Sequence, residues 1–251
     1  MVLLPPFPFD RTVWSANILA ILEAGHRAIA VDYPGFGDSP PISPALFSIA
    51  AIADATAALL DRLGLAQATL MGLSMGGYVA LAFAHRHPGR LRALILADTR
   101  AAADSDAARQ GRAQALDTLA TRGVDAYLAG AVPKQLAPDA SAELVKAVTR
   151  LAVKRPAALT TAVAALRDRP DRTAEAPRIA CPTLVLVGAA DQITPAPEMR
   201  ALAQAIPGAR FVELANAGHL SNVEATKPFN QSVADFLRGL PPVTSAATKV
   251  S

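Results

Sequence analysis

Short, wholly apolar runs alternate along the first hundred residues with stretches in which apolar side chains recur every three or four positions. That rhythm predicts the strands of a parallel sheet with helices covering both faces. Residues 1–4 read as the end of a strand, cut off by Pro5, Pro6 and Pro8, which cannot continue a ladder. Trp14, Ile18, Ile21 and Leu22 fall at helical spacing over 11–23, and Gly25 stops that helix. A strand is predicted at 27–31, and the turn formers of 32–41 make a loop. Ile49, Ile52, Leu59, Leu60 and Leu63 mark a helix closed by Gly64. The chain then predicts an apolar strand at 68–72, a helix from 75 to about 87 ended by Pro88-Gly89, and a second apolar strand at 93–97.

The rhythm breaks at residue 100. From there to 178 the chain is rich in alanine and arginine, compatible with helix, and without a buried strand, which predicts an inserted helical cap. The sheet resumes at 183–187, followed by a helix at 198–206, a last strand at 211–214 and a closing helix at 229–238 stopped by Gly239. The expected organisation is an α/β core of 1–99 and 179–240, a helical cap of 100–178 and a flexible C-terminal tail of 241–251. A chain of 251 residues accommodates this as one domain with an insertion. Hydrophobic residues at 52% and charged residues at 18% describe a globular interior, not a disordered or coiled-coil chain.

Charge and composition narrow the partners. The net charge of +3 is spread without a lysine-arginine run or an aromatic-basic stripe, so no nucleic-acid partner is expected. The excess lies in 100–178, where 13 Lys and Arg face nine Asp and Glu. That excess is either a solvated helical face or a basic lid favouring substrates that bear a carboxylate. The lone Cys181, before Pro182, excludes an internal disulfide and reads as a buried structural thiol. No secretory leader pattern and no run of 18 apolar residues is visible, which sets a soluble cytoplasmic protein with no membrane partner as the expectation. Four scattered histidines and one cysteine offer no zinc spacing, and no complete nucleotide-binding glycine pattern follows a strand, so neither metal nor cofactor is expected.

The candidate chemistry lies at strand ends, where an open parallel sheet gathers its ligands. In Gly72-Leu73-Ser74-Met75-Gly76-Gly77 a serine stands between two glycines where a strand gives way to a helix. A sharp turn there exposes a nucleophilic Oγ, and the free N–H of Met75 at the helix start faces a developing oxyanion. Asp191 follows the strand at 183–187 and His219 the strand at 211–214, giving the chain order Ser, Asp, His. A hydroxyl needs an imidazole to take its proton, and an aspartate holds the imidazole's tautomer. Asp98, after the strand at 93–97, is the rival acid. His26, His85 and His87 read as structural, and Asp32 and Ser39 as turn-ordering residues. No substrate-binding residue is named by pattern alone.

With these motifs the chain resembles the α/β-hydrolase fold family over nearly all of 3–240. The strings Ala165-Leu166-Arg167-Asp168, Pro182 through Gly188 and Gly218 through Glu224 are similar to those of 3-oxoadipate enol-lactonase-like and small carboxylesterase members. The resemblance implies a mostly parallel sheet of about six recognisable strands, the first family strands missing. It also implies a cofactor-free serine hydrolase acting on a small carboxylic ester or lactone. Ser74, where dehalogenase and epoxide hydrolase relatives carry aspartate, points to acyl transfer. The alternatives are perhydrolase or haloperoxidase-type chemistry, in which peroxide replaces water, and a low-turnover ligand-binding relative. The family's oxyanion turn reads His-Gly-x-Pro. Here Pro5-Pro6 replaces the His-Gly pair while Phe7 keeps the second amide; proline at position 6 either misdirects that amide or, if the turn needs no positive φ, leaves it aimed as the second oxyanion donor beside Met75.

Overall fold

A computed structural model describes residues 1–241; the expected tail lies outside the described residues except for Pro241, whose carbonyl accepts from Arg92 Nη2 at 2.7 Å. Six strands form one parallel sheet: β1 (Val2–Leu4), β2 (Ile29–Ala30), β3 (Ala68–Leu73), β4 (Leu91–Ala97), β5 (Thr183–Gly188) and β6 (Arg210–Leu214), in the order β2-β1-β3-β4-β5-β6. Residues of β1, β3 and β5 are buried throughout, as continuous apolar runs require when both faces are covered. Alternate side chains feed two cores. Leu4, Leu70, Leu96 and Val185 pack on one face, and Leu3, Met71, Ile95 and Leu186 on the other.

The helices are α1 (Ile18–Glu23), α2 (Ile49–Arg62), α3 (Met75–Arg86), α4 (Asp106–Thr121), α5 (Gly123–Ala131), α6 (Ala142–Leu151), α7 (Pro156–Arg167), α8 (Ala196–Ala205), α9 (Ser221–Glu224) and α10 (Thr226–Arg238). Helices α4 to α7 all fall between β4 and β5, and no strand interrupts them. Ser48, Ser105 and Ser141 start α2, α4 and α6 by accepting a backbone N–H three residues on.

Two elements differ from the sequence expectation. The helix expected over 11–23 is split into a 3₁₀ turn, Arg11–Trp14, and α1, because the N–H groups of Ser15 and Asn17 donate back three residues, to Thr12 and Trp14, and not four. The strand expected at 27–31 keeps ladder geometry only over Ile29–Ala30, at the sheet edge. Cys181 is half-buried and unpaired, more open than the buried thiol expected.

Candidate active site

The parallel ladder brings the site together before any catalytic side chain is considered. Leu4 pairs with Gly72, Ala97 with Leu73 and Gly188 with Leu214, so the turns leaving β1, β3, β4, β5 and β6 open at one end of the sheet. At the end of β3 the backbone of Ser74 takes φ 52° and ψ −114°, a left-handed conformation that L-residues rarely adopt. Neighbouring glycines make that turn possible. A Cβ on Gly72 would lie 2.1 Å from the Gly76 carbonyl oxygen, and one on Gly76 would lie 2.0 Å from the Leu4 carbonyl oxygen. The Ser74 N–H donates to Ala97 O at 2.9 Å, and its carbonyl accepts from Thr99 Oγ1 at 2.8 Å, so the strained residue is fixed from both sides.

Ser74 Oγ lies 2.8 Å from His219 Nε2, and His219 Nδ1 lies 2.8 Å from Asp191 Oδ2. An imidazole carrying its proton on Nδ1 donates to Asp191 and accepts from the Ser74 hydroxyl, which is the arrangement a general base needs. Asp191 is itself held. Its Oδ1 accepts the N–H groups of Ile193 at 2.8 Å and Thr194 at 3.0 Å, and its Oδ2 accepts Thr194 Oγ1 at 2.5 Å. Burial works to raise the Asp191 carboxyl, yet His219 facing it and the bonds from Thr194 bring it below its ordinary value, so it stays an anion.

Asp98, the rival acid, forms no hydrogen bond with the imidazole among the described residues. Its Oδ1 accepts Gly188 N–H at 2.8 Å and its Oδ2 is hydrogen-bonded to Ser221 Oγ, so it ties the end of β5 to the segment after His219. Burial, then the negative charge of Asp191, pushes the Asp98 carboxyl well above the usual carboxylate range. The histidine turn is also braced by Glu224, which accepts Ala137 N–H at 2.7 Å and Gly218 N–H at 2.8 Å. Thr194, Ser221 and Glu224 escape a motif reading because each bonds a partner from another part of the site. Ser221 and Glu224 left a trace only as members of the string Gly218 through Glu224.

The N–H groups of Phe7 and Met75 have no hydrogen-bond partner among the described residues. Phe7, Ser74 and His219 line one cavity of about 670 Å³. Its opposite lining comes from α4, α5 and the turn after α5, including Arg112, Tyr127, Lys134 and Gln135. Gln135 Oε1 is buried without a partner among the described residues, while the Gln135 carbonyl accepts Leu220 N–H at 3.0 Å beside the histidine. Of the remaining histidines, His87 Nε2 lies 2.8 Å from Asp54 and His85 Nδ1 lies 3.5 Å from Glu175, away from the cavity. Asp32 accepts Arg11 N–H at 2.8 Å and Asp38 N–H at 3.0 Å, ordering its turn. Among the described residues no cluster of three or more metal-ligating side chains occurs, and no helix is long and apolar enough to cross a membrane.

Comparison with known proteins identifies the fold family. The profile of the alpha/beta hydrolase fold family matches residues 1–226. The chain is 33% identical over 240 residues to a pimeloyl-(acyl-carrier protein) methyl ester esterase of Neisseria meningitidis serogroup B, covering 90% of each chain. A thermophilic esterase from Thermogutta terrifontis, solved with malate bound, superposes with a TM-score of 0.89 at 36% identity, covering 95% of this chain and 89% of that one. The enol-lactonase from Burkholderia xenovorans LB400 superposes with a TM-score of 0.83 at 29% identity, covering 94% of this chain and 90% of that one.

Proposed function

This chain belongs to the α/β-hydrolase fold family, and on that footing we propose that its ester-hydrolase activity runs through an acyl-enzyme on Ser74, with a small carboxylic ester or lactone as substrate. The observation behind the reading is the unbroken hydrogen-bonded line from Ser74 Oγ through His219 to Asp191. His219 Nε2 takes the hydroxyl proton as Oγ attacks the carbonyl carbon. The resulting oxyanion receives the free amides of Met75 and Phe7, each donor of this kind being worth about a hundredfold to a thousandfold in rate. The imidazolium, stabilised by Asp191, returns its proton to the departing alkoxide, and the C–O bond breaks. Water then enters on the same base, adds to the acyl carbon, and expulsion of Ser74 Oγ releases the acid. No cofactor is needed for either half.

The helices of residues 100–178 act in this reading as a lid, since α4 and α5 supply the far side of the cavity. A fluorophosphonate probe followed by intact mass measurement tests the assignment. One adduct on Ser74, lost in Ser74→Ala together with ester turnover, is the expected result; an adduct elsewhere in the folded protein, or unchanged turnover in Ser74→Ala, overturns it. His219→Ala should lower kcat by about four to six orders of magnitude, because it removes the base hydrogen-bonded to the nucleophile.

A further inference from the structure

Arg112, Arg122 and Lys134 line the cavity that holds Ser74 and His219, and among the described residues no Asp or Glu does. Helix α4 builds this wall through its spacing. Ala108, Gly111, Arg112, Ala115 and Thr118 share one face at steps of three and four residues, with Gln114 also at the cavity, and the small members leave volume around Arg112. Arg122 stands ten positions beyond Arg112, about 15 Å along a helix axis at 1.5 Å per residue, so one small anion cannot engage both.

What distinguishes Arg112 is how it is held. Its Nε donates to Asp104 Oδ2 at 3.1 Å, while Asp104 Oδ1 accepts Arg169 Nη1 at 2.5 Å. Asp104 and Arg169 are both buried, so the anchor is rigid. One carboxylate shared by two guanidinium groups leaves a net positive charge. Neither Nη of Arg112 has a partner among the described residues. A guanidinium fixed through Nε keeps its two terminal nitrogens as a planar fork, the shape that meets a carboxylate with two parallel bonds. Arg122 and Lys134, which form no ion pair among the described residues, add positive field in the same cavity.

We propose that Arg112 is the subsite for a second carboxylate on the substrate, so that the protein prefers half-esters of dicarboxylic acids, or lactones bearing a free carboxylate, over neutral esters of equal length. This rests on the reading of Ser74 as the nucleophile above. The test compares kcat/KM for monomethyl esters of dicarboxylic acids with that for methyl alkanoates of matched chain length, in the wild type, Arg112→Gln and Arg112→Lys. It is paired with calorimetric binding of the free dicarboxylate adipate to wild type and Arg112→Gln.

The wild type should favour the half-ester at one or more chain lengths by about tenfold or more, as a charge-assisted pair implies. Arg112→Gln should cut that ratio by about tenfold to a hundredfold, Arg112→Lys should restore part of it, and high salt should reduce it. Adipate binding should weaken in Arg112→Gln in parallel. A ratio near one that Arg112→Gln leaves unchanged, with neutral esters still turned over, overturns the subsite and leaves the serine reading intact. Adipate binding that depends on Arg112 in a protein that hydrolyses neither ester supports the subsite and overturns the hydrolase reading.

Discussion

Asp98 and Asp191 leave neighbouring strands as buried carboxylates, and their surroundings shift them in opposite directions. Asp191 has two backbone N–H donors, a hydroxyl and the imidazole, which outweigh its burial. Asp98 is raised by its burial and then by the charge of Asp191, which one backbone N–H and Ser221 do not offset. Asp191→Asn should therefore lower kcat by about three to four orders of magnitude, since an amide cannot hold the imidazole in the needed tautomer. Asp98→Asn should leave kcat within about threefold. An equal loss in both variants would refute the assignment of Asp191 as the acid. The stability of the second variant carries a pH signature. A carboxyl raised in the folded state makes the native protein bind more protons than the unfolded chain, so wild-type stability falls as pH rises from the ordinary carboxylate range through the raised value. Asparagine removes that slope, keeps an acceptor for Gly188 N–H and leaves a polar partner beside the Ser221 hydroxyl. The difference in Tm, Asp98→Asn minus wild type, should become more positive as pH rises, and a flat difference between acid and neutral pH would reject a neutral Asp98. The order of Ser74, Asp191 and His219 was legible because each follows an apolar run. The charge state of Asp98 was not, because its causes are residues 90 and more positions away.

At the scale of elements, the central strands were the most legible part of the chain. The apolar runs at β3, β4 and β5 fall within about two residues of their expected bounds, because burial on both faces writes itself directly into composition, and the partly exposed edge strand β6 falls within one. The first turn was harder to read, because its shape depends on contacts with distant residues. Tyr33 Oη donates to the Pro5 carbonyl at 2.9 Å, Phe9 N–H donates to Pro6 O at 2.9 Å, and the Phe7 ring packs near Phe36 and Tyr127. These contacts hold the Phe7 segment independently of the conformational freedom that a glycine at position 6 would add. Replacing Pro5-Pro6 by His-Gly should thus change kcat by less than about threefold; a rise of about tenfold or more would place the fault in a misdirected Phe7 amide, as the proline substitution by itself suggests. The elbow is less forgiving. Gly76→Ala sets a methyl group against the Leu4 carbonyl, which belongs to a fully buried strand and has nowhere to move. Its expected cost is about 3 kcal/mol in urea unfolding, with loss of Ser74 labelling; a change under about 1 kcal/mol would mean that β1 and α3 can separate.

Across the whole molecule, the two ends of the chain between β4 and β5 are fastened to each other. Ala103 N–H donates to Asp171 at 3.1 Å, Arg172 N–H donates to Ala101 O at 2.9 Å, and Arg169 donates to Asp104, to Leu166 O and to Ala102 O. The Arg169 guanidinium also lies 4.1 Å from the centre of the Tyr78 ring, which lines the cavity. None of this was legible in the alanine- and arginine-rich sequence, where an arginine on a solvated face and one sealed against a buried aspartate look alike. Burial works to raise the Asp104 carboxyl, but Arg112 and Arg169 bring it below its ordinary value. Asp104→Asn removes the charge while Arg169 keeps two carbonyl acceptors, so the expected loss is about 2–3 kcal/mol, below the full cost of stranding a buried ion. Asp168→Asn, at the exposed Arg167 pair, serves as the comparison and should cost well under about 1 kcal/mol. The sign with pH follows from the lowered value. The contribution of Asp104 is fully present above the ordinary carboxylate range and fades as pH falls through its depressed folded value, so wild type and Asp104→Asn should converge in stability in strong acid. Hydrogen exchange should locate the damage, with protection falling in α4 and α7 before it falls in β3 or β4. Uniform loss across sheet and helices would show that the clasp is simply part of one cooperative core and does not set the stability of the lid separately.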